Sequence, residues 1–212
     1  MVNDERKLPR SVAVVLFDGF ELLDVFGPLE MFGVLPEQFA ISLIGPTPGP
    51  VRSAQGPEVV AQYAYQGAPR AQVVLVPGGI GTRRLVRDPE FFGWLGRWAS
   101  NAEYVTSVCT GSGVLAAAGL LDGYRATSNK REFAWACEQG PAVQWVPEAR
   151  WLQDRDRWTS SGVAAGMDMA LALIAHLHRD RVAAAVADGV EYEWHQDSNW
   201  DPFAAKNGLT SG

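Results

Sequence analysis

Cysteine and histidine are scarce: 212 residues contain only Cys109, Cys137, His176, His178 and His195. Two thiols are too few for a disulfide framework, which implies a reducing compartment. No histidine, cysteine and acid share the spacing of a zinc site, and no histidine closely follows Cys109, so a mechanism free of both metal and histidine is expected. Positive charge is also in deficit. The 18 basic side chains against 24 acidic ones leave a formal charge of −6, which removes the electrostatic footprint for nucleic acid or an anionic membrane and favours a small neutral ligand. No apolar run approaches the roughly 18 residues of a membrane helix. The first ten residues, MVNDERKLPR, are charged where a signal peptide has its apolar core. Neither a phosphate-binding G-x-x-x-x-G-K-[ST] loop nor a G-x-G-x-x-G after a strand occurs, so no nucleotide cofactor is implied. The expectation is a soluble cytoplasmic protein that needs no external cofactor.

What the chain does contain is a series of short runs that are apolar throughout: residues 11–17, 40–45, 73–79 and 104–108. Runs of that kind suit strands buried on both faces of a parallel sheet. Between them lie helical patterns. Residues 88–101 begin with Asp88 as N-cap and Pro89 at the first helical position, with Phe91, Phe92, Leu95, Trp98 and Ala99 on one stripe. Residues 162–179 and 180–194 have helical spacing, the second interrupted by Gly189, while 142–146 and 149–161 suggest strands with a hairpin. Alternating strands and helices predict an α/β fold around one doubly wound, mostly parallel sheet. With no repeat or linker, residues 1–212 are expected to form a single domain, its core spanning about 11–195 and followed by an aromatic tail over 196–212.

Ligands of such sheets bind beyond the carboxyl ends of the strands. Three junctions of this kind are unusual here. Cys109 lies in SVCTGSG (107–113), where a strand turns into a helix. Free N–H groups at a helix start favour an anion, and such sites lower thiol pKa values to about 3.5 to 7.5. A buried cysteine filling a small gap fits the same residues. Cys137 sits inside a helical pattern and reads as packing. The pair Gly78-Gly79, followed by Ile80, could turn N–H groups toward a site or form only a tight turn. Asp24 and Glu30 follow the first strand. A carboxyl beside a thiolate is pushed toward its protonated, proton-donating form, although acids at helix starts also serve simply as caps.

LFDGFELLDVFGPLEMF, VVLVPGGIGT, YVTSVCTGSGVLAAAGLLDGYRAT and SSGVAAGMDMALALIA together resemble, in order and spacing, the ThiJ/PfpI family of the class I glutamine amidotransferase-like superfamily. They are most similar to its isocyanide-hydrating members. The resemblance implies a flavodoxin-like sandwich, a homodimer, and hydration of isocyanides to N-formamides through a thioimidate on Cys109. Asp24, rather than Glu30, takes the position of the acid, Thr110 follows the nucleophile, and backbone groups at Gly78, Gly79 and Ile80 border the substrate. The chain departs from many relatives at Asn129, where they carry a histidine. Tyr192, Trp194 and Trp200 suggest either pocket walls or a dimer interface. A redox-responsive sensor cysteine and a glyoxalase-like activity on small aldehydes are the alternative functions.

Overall fold

The computed structural model describes residues 8–210. The ends of the expected 1–212 unit, and most of the charged amino-terminal stretch, lie outside them. The elements in chain order are β1 Arg10–Val15, α1 Leu22–Gly33, β2 Phe39–Gly45, β3 Gly49–Arg52, β4 Glu58–Ala61, β5 Tyr63–Ala64, β6 Val73–Val76, α2 Thr82–Leu85, α3 Pro89–Ala99, β7 Tyr104–Val108 and α4 Gly111–Ala117. They continue with β8 Arg125–Ala126, α5 Phe133–Gln139, β9 Gln144–Trp145, β10 Trp151–Asp154, β11 Arg157–Ser160, α6 Ala165–His178, α7 Asp180–Gly189 and α8 Pro202–Lys206.

Seven strands form one sheet in the order β10-β11-β7-β6-β1-β2-β5. Every pairing is parallel except β10 with β11, the hairpin at one edge. The apolar runs follow from burial on both faces. Val12, Val14 and Leu16 pack with α1, α6 and α7, whereas Ala13 and Val15 point the other way into a core with α3 and α4. This is the doubly wound, mostly parallel sheet expected from the alternating pattern, and the flavodoxin-like sandwich that the family resemblance implies. Among the described residues no helix is long and apolar enough to cross a membrane.

Asp88 caps α3 as its sequence implies, accepting the Glu90 and Phe91 N–H groups at 3.0 Å, with Pro89 at the first position. The buried stripe is broader than expected. Phe91, Leu95 and Ala99 are buried and Phe92 and Trp98 are partly buried against the same core, while Trp94, on whose ring Tyr65 stacks at 4.4 Å, is buried as well. The helix anticipated over 180–194 stops at Gly189, and residues 142–146 supply only the two-residue β9, paired with β8 outside the main sheet.

Parallel alignment brings the carboxyl ends of β1, β6, β7 and β11 to one rim. The chain leaving them, residues 16–20, 77–81, 109–111 and 161–164, forms that rim. Cys109 is the first residue after β7.

Candidate active site

Cys109 has φ +59, a left-handed backbone that costs a residue with a Cβ about 1–2 kcal/mol. Both of its backbone groups are held by hydrogen bonds. Its N–H points at the Ser160 and Ser161 carbonyls, each at 3.2 Å, and its carbonyl accepts the hydroxyls of Ser112 at 3.1 Å and Ser128 at 3.0 Å. Gly111 is the glycine this elbow requires, since a Cβ there would lie 2.1 Å from the Val76 carbonyl oxygen. Both serines are fully buried; Ser112 belongs to the run of small residues that allows the tight turn, whereas nothing in the sequence marks Ser128. Ser128 precedes Asn129 in a segment with no local signature, and only folding places it behind the cysteine.

Four groups surround the sulfur. Asn129 donates Nδ2–H to Sγ at 3.1 Å. The orientation of this amide is determined by its other end, because Oδ1 accepts the backbone N–H groups of Arg131 at 2.9 Å and Glu132 at 3.1 Å, leaving only the NH₂ to face the thiol. The Thr110 N–H and hydroxyl both support the anionic form of the thiol, as does Asn129. Asp24 is fully buried and interacts with the same sulfur. Gly162 lies on the fourth side, where the lack of a side chain leaves room beside the sulfur: a Cβ there would stand 3.3 Å from Sγ and would collide with Asn129 Nδ2.

The glycine pair works differently from the expected anion nest. The Gly78 N–H donates to Asp24 Oδ2 at 2.8 Å, and the Gly79 N–H donates to Thr110 Oγ1 at 3.1 Å. These donors position the acid and the threonine, leaving neither free for a ligand. A side chain at Gly78 would place its Cβ 2.6 Å from the Thr110 nitrogen and 2.9 Å from Asp24 Oδ2. Gly79, at φ +122, has no room beside the Gly19 carbonyl. Ile80 projects outward with 68% of its surface exposed.

Burial decides the protonation of the acid. Desolvation raises the Asp24 pKa well above the ordinary carboxyl value, outweighing the Gly78 hydrogen bond that lowers it. Asp24 Oδ1 has no hydrogen-bonding nitrogen or oxygen partner, which further favours the neutral acid. Burial also raises the thiol pKa, with the Asp24 charge second, against the stabilising donors from Thr110 and Asn129. The strongly lowered thiol pKa expected from the helix start is therefore not found. Once Asp24 is neutral its repulsion disappears, and the pair holds a carboxylic acid next to a sulfur flanked by donors.

Glu30, the other acidic candidate, is solvent-exposed on α1. Tyr192 donates its hydroxyl to Asp168 at 3.0 Å, Trp194 joins Trp151 and Trp158 around a separate cavity, and Trp200 stacks on His195. These aromatics are engaged away from the thiol. Among the described residues no cluster of histidine, cysteine and acid could hold a metal. Cys137 is half-buried on α5, the packing position its helical pattern suggested.

The loop carrying Gly162 is anchored by a buried ion pair. Asp168, in the first turn of α6, takes Arg150 Nε at 2.8 Å and a second guanidinium nitrogen at 2.7 Å, together with the Tyr192 hydroxyl and the His195 N–H. Asp168→Ala would leave Arg150 buried and uncompensated, with an expected loss of about 3–5 kcal/mol. Thermal unfolding should show a Tm lower by roughly 10 °C; an unchanged Tm would remove this pair from the supports of the loop.

The model of the DJ-1/PfpI family matches residues 10–176. The chain belongs to this family. It is 34% identical to the isonitrile hydratase of Pseudomonas putida over 86% of this chain and 78% of that protein. It is also 32% identical to GbdR, an HTH-type transcriptional regulator of Pseudomonas aeruginosa, over 91% of this chain but only 53% of the regulator, so it spans about half that relative's length. Among solved structures, a ThiJ/PfpI family protein from Pseudomonas syringae superposes with a TM-score of 0.81 at 31% identity, covering 99% of this chain and 89% of the other. Toxoplasma gondii DJ-1 shares the fold with a TM-score of 0.75 at 19% identity, covering 87% of this chain and all of the other.

Proposed function

We propose that the chain is a cytoplasmic enzyme acting as one domain, which hydrates isocyanides to N-formamides with Cys109 as nucleophile and Asp24 as proton donor and acceptor. The observation that supports this reading is the buried Asp24 carboxyl against a thiol that has asparagine, not histidine, on its other side. Asn129 cannot remove a proton, so the proton chemistry falls to the acid.

The cycle balances with one shared proton. The pair holds one proton, which passes from the thiol to the Asp24 carboxylate before attack. The resulting thiolate adds to the terminal carbon of R–N≡C, forming the S–C bond, and that carbon takes the proton back from Asp24 to give the thioimidate R–N=CH–S–Cys. Asp24, now a carboxylate, removes a proton from the attacking water. Cleavage of the C–S bond regenerates the thiolate, and transfer of the hydroxyl proton to nitrogen yields R–NH–CHO. The Thr110 N–H and the Asn129 amide stabilise the sulfur as an anion at the start and end. The similarity to an isonitrile hydratase supports this reaction. Incubating the purified protein with alkyl and aryl isocyanides, and separately with methylglyoxal, distinguishes it from the glyoxalase-like alternative: formamide should accumulate and lactate should not.

The similarity to HTH-type regulators favours a second reading, a sensor in which Cys109 is oxidised and nothing is turned over. Under that reading no isocyanide is consumed, while oxidant converts Cys109 to sulfinic acid.

A homodimer belongs to the same proposal. Leu23 and Phe26 flank Asp24 on α1 with 41% and 44% of their surfaces exposed, and Ile80 is exposed nearby in sequence to Gly79. A second copy would remove these apolar surfaces from water. Sedimentation at micromolar concentration should give twice the 23.0 kDa chain mass; a monomer would contradict the proposal.

A further inference from the structure

A cavity of about 560 Å³ is lined by Asn129, which follows β8 and donates to the Cys109 sulfur, and by Gly162, which follows β11 and lies beside that sulfur. Val163 and the half-exposed Phe203 give it apolar walls. Its charged lining is of one sign. Arg131 and Lys206 are exposed there, neither has an acidic partner among the described residues, and no carboxylate lines the cavity. The Lys206 ammonium lies 5.0 Å from the centre of the Phe203 ring, at the junction of the apolar wall and the rim.

Neighbouring acids are engaged elsewhere. Asp201 is buried, caps α8 by accepting the Phe203 N–H at 2.9 Å, and faces Lys130 electrostatically. Lys130 also lines the cavity but is buried, donating to Thr127 Oγ1 and the Ala149 carbonyl, its pKa lowered by burial to about 8. On the α1 side Glu21 accepts the Gln55 amide. The chain as a whole carries a formal charge of −6, which favoured a neutral ligand. The charge at this mouth has the opposite sign.

We infer that Arg131 and Lys206 select substrates with an apolar body and an anionic group, such as a carboxylate, set back from the carbon that Cys109 attacks. This rests on the proposed chemistry at Cys109 for the reaction, but the charge of the mouth can be read without it. A cleft lined by one sign of charge raises the arrival rate of opposite charges by about 10- to 10³-fold at low salt.

The test has two arms. In the first, Cys109 is alkylated by anionic iodoacetate or by neutral iodoacetamide, and the modified peptide is resolved from that of Cys137 by mass spectrometry. The iodoacetate-to-iodoacetamide rate ratio, divided by that of a small neutral thiol in the same buffer, should be roughly tenfold above one at low salt and should fall at high salt. Arg131→Gln with Lys206→Gln should bring it close to one. Arg70→Gln with Arg181→Gln makes the same change in net charge at the amino ends of the strands and should leave the ratio as in the wild type. A ratio near one in the wild type, or one the Arg131/Lys206 pair does not alter, overturns the inference.

The second arm compares kcat/KM for a carboxylate-bearing isocyanide with that for its methyl ester, where the carboxylate form should be favoured and the double substitution should erase the preference. Turnover of both at equal rates with a flat alkylation ratio would overturn the inference and leave the reaction standing. A raised alkylation ratio without turnover of either would support the anionic mouth and overturn the reaction.

Discussion

Asp24→Asn is expected to lower isocyanide turnover by roughly 10²- to 10⁴-fold, the usual contribution of a positioned proton donor. Asparagine can still accept the Gly78 N–H through its amide oxygen, so the loop between β6 and α2 should remain in place. What is lost is the exchangeable proton, required once when the thioimidate forms and again when water attacks. The same substitution has a signature in stability. Because burial raises the Asp24 pKa in the folded protein, the native state holds this proton more tightly than the unfolded chain. The stabilisation from that proton is complete below the ordinary carboxyl value near 3.8, and is lost as pH rises toward the folded-state pKa. Relative to Asp24→Asn, the wild type should therefore lose stability as pH is raised above about 4. Tm measured for both proteins across this range checks the sign. Wild-type rates in the variant, or a stability difference that does not change with pH, would contradict the role of the buried acid.

Cys109→Ala should abolish turnover altogether, since no other described thiol stands among the residues of the rim and Cys137 lies on α5. The fold should survive. The side chain removed is small, and the Ser112, Ser128, Ser160 and Ser161 contacts act on the backbone of residue 109, not on its sulfur. The loss of stability should be about 1 kcal/mol, the centre of the range for single substitutions. Formamide production by the alanine variant would exclude the thioimidate. If the wild type itself hydrated no isocyanide, yet oxidation at residue 109 slowed in Asp24→Asn, the sensor reading would replace the enzyme.

The two cysteines show which sequence signals survive into three dimensions. Cys109 could be placed at a turn because a β-branched run meets a glycine- and alanine-rich one, a local pattern that chain geometry preserves. Its electrostatics were not legible in the same way. A helix start alone argues for a lowered pKa, but the sulfur is covered by Asp24, Asn129 and Gly162, segments far apart in sequence, and desolvation scales with that cover. The glycine pair was legible as a turn. That its N–H groups hold Asp24 and Thr110, not a ligand, depends on α1 and α4 approaching β6 from either side.

The same division runs through the molecule. The fully apolar strands, the capped start of α3 and the shortage of histidine followed from sequence alone, because burial on both faces, N-cap geometry and available chemistry are properties of neighbouring residues or of composition. The family resemblance favoured Asp24 over Glu30, but the residues themselves left both open, and the tertiary structure supplies the physical reason: six residues along α1 turn one side chain into the core and the other to solvent. Only folding, likewise, set Arg131, after β8, beside Lys206, in α8, at the mouth of one cavity. A chain with an excess of acid concentrates positive charge there because electrostatic potential follows positions in space, and net charge contains none of that information.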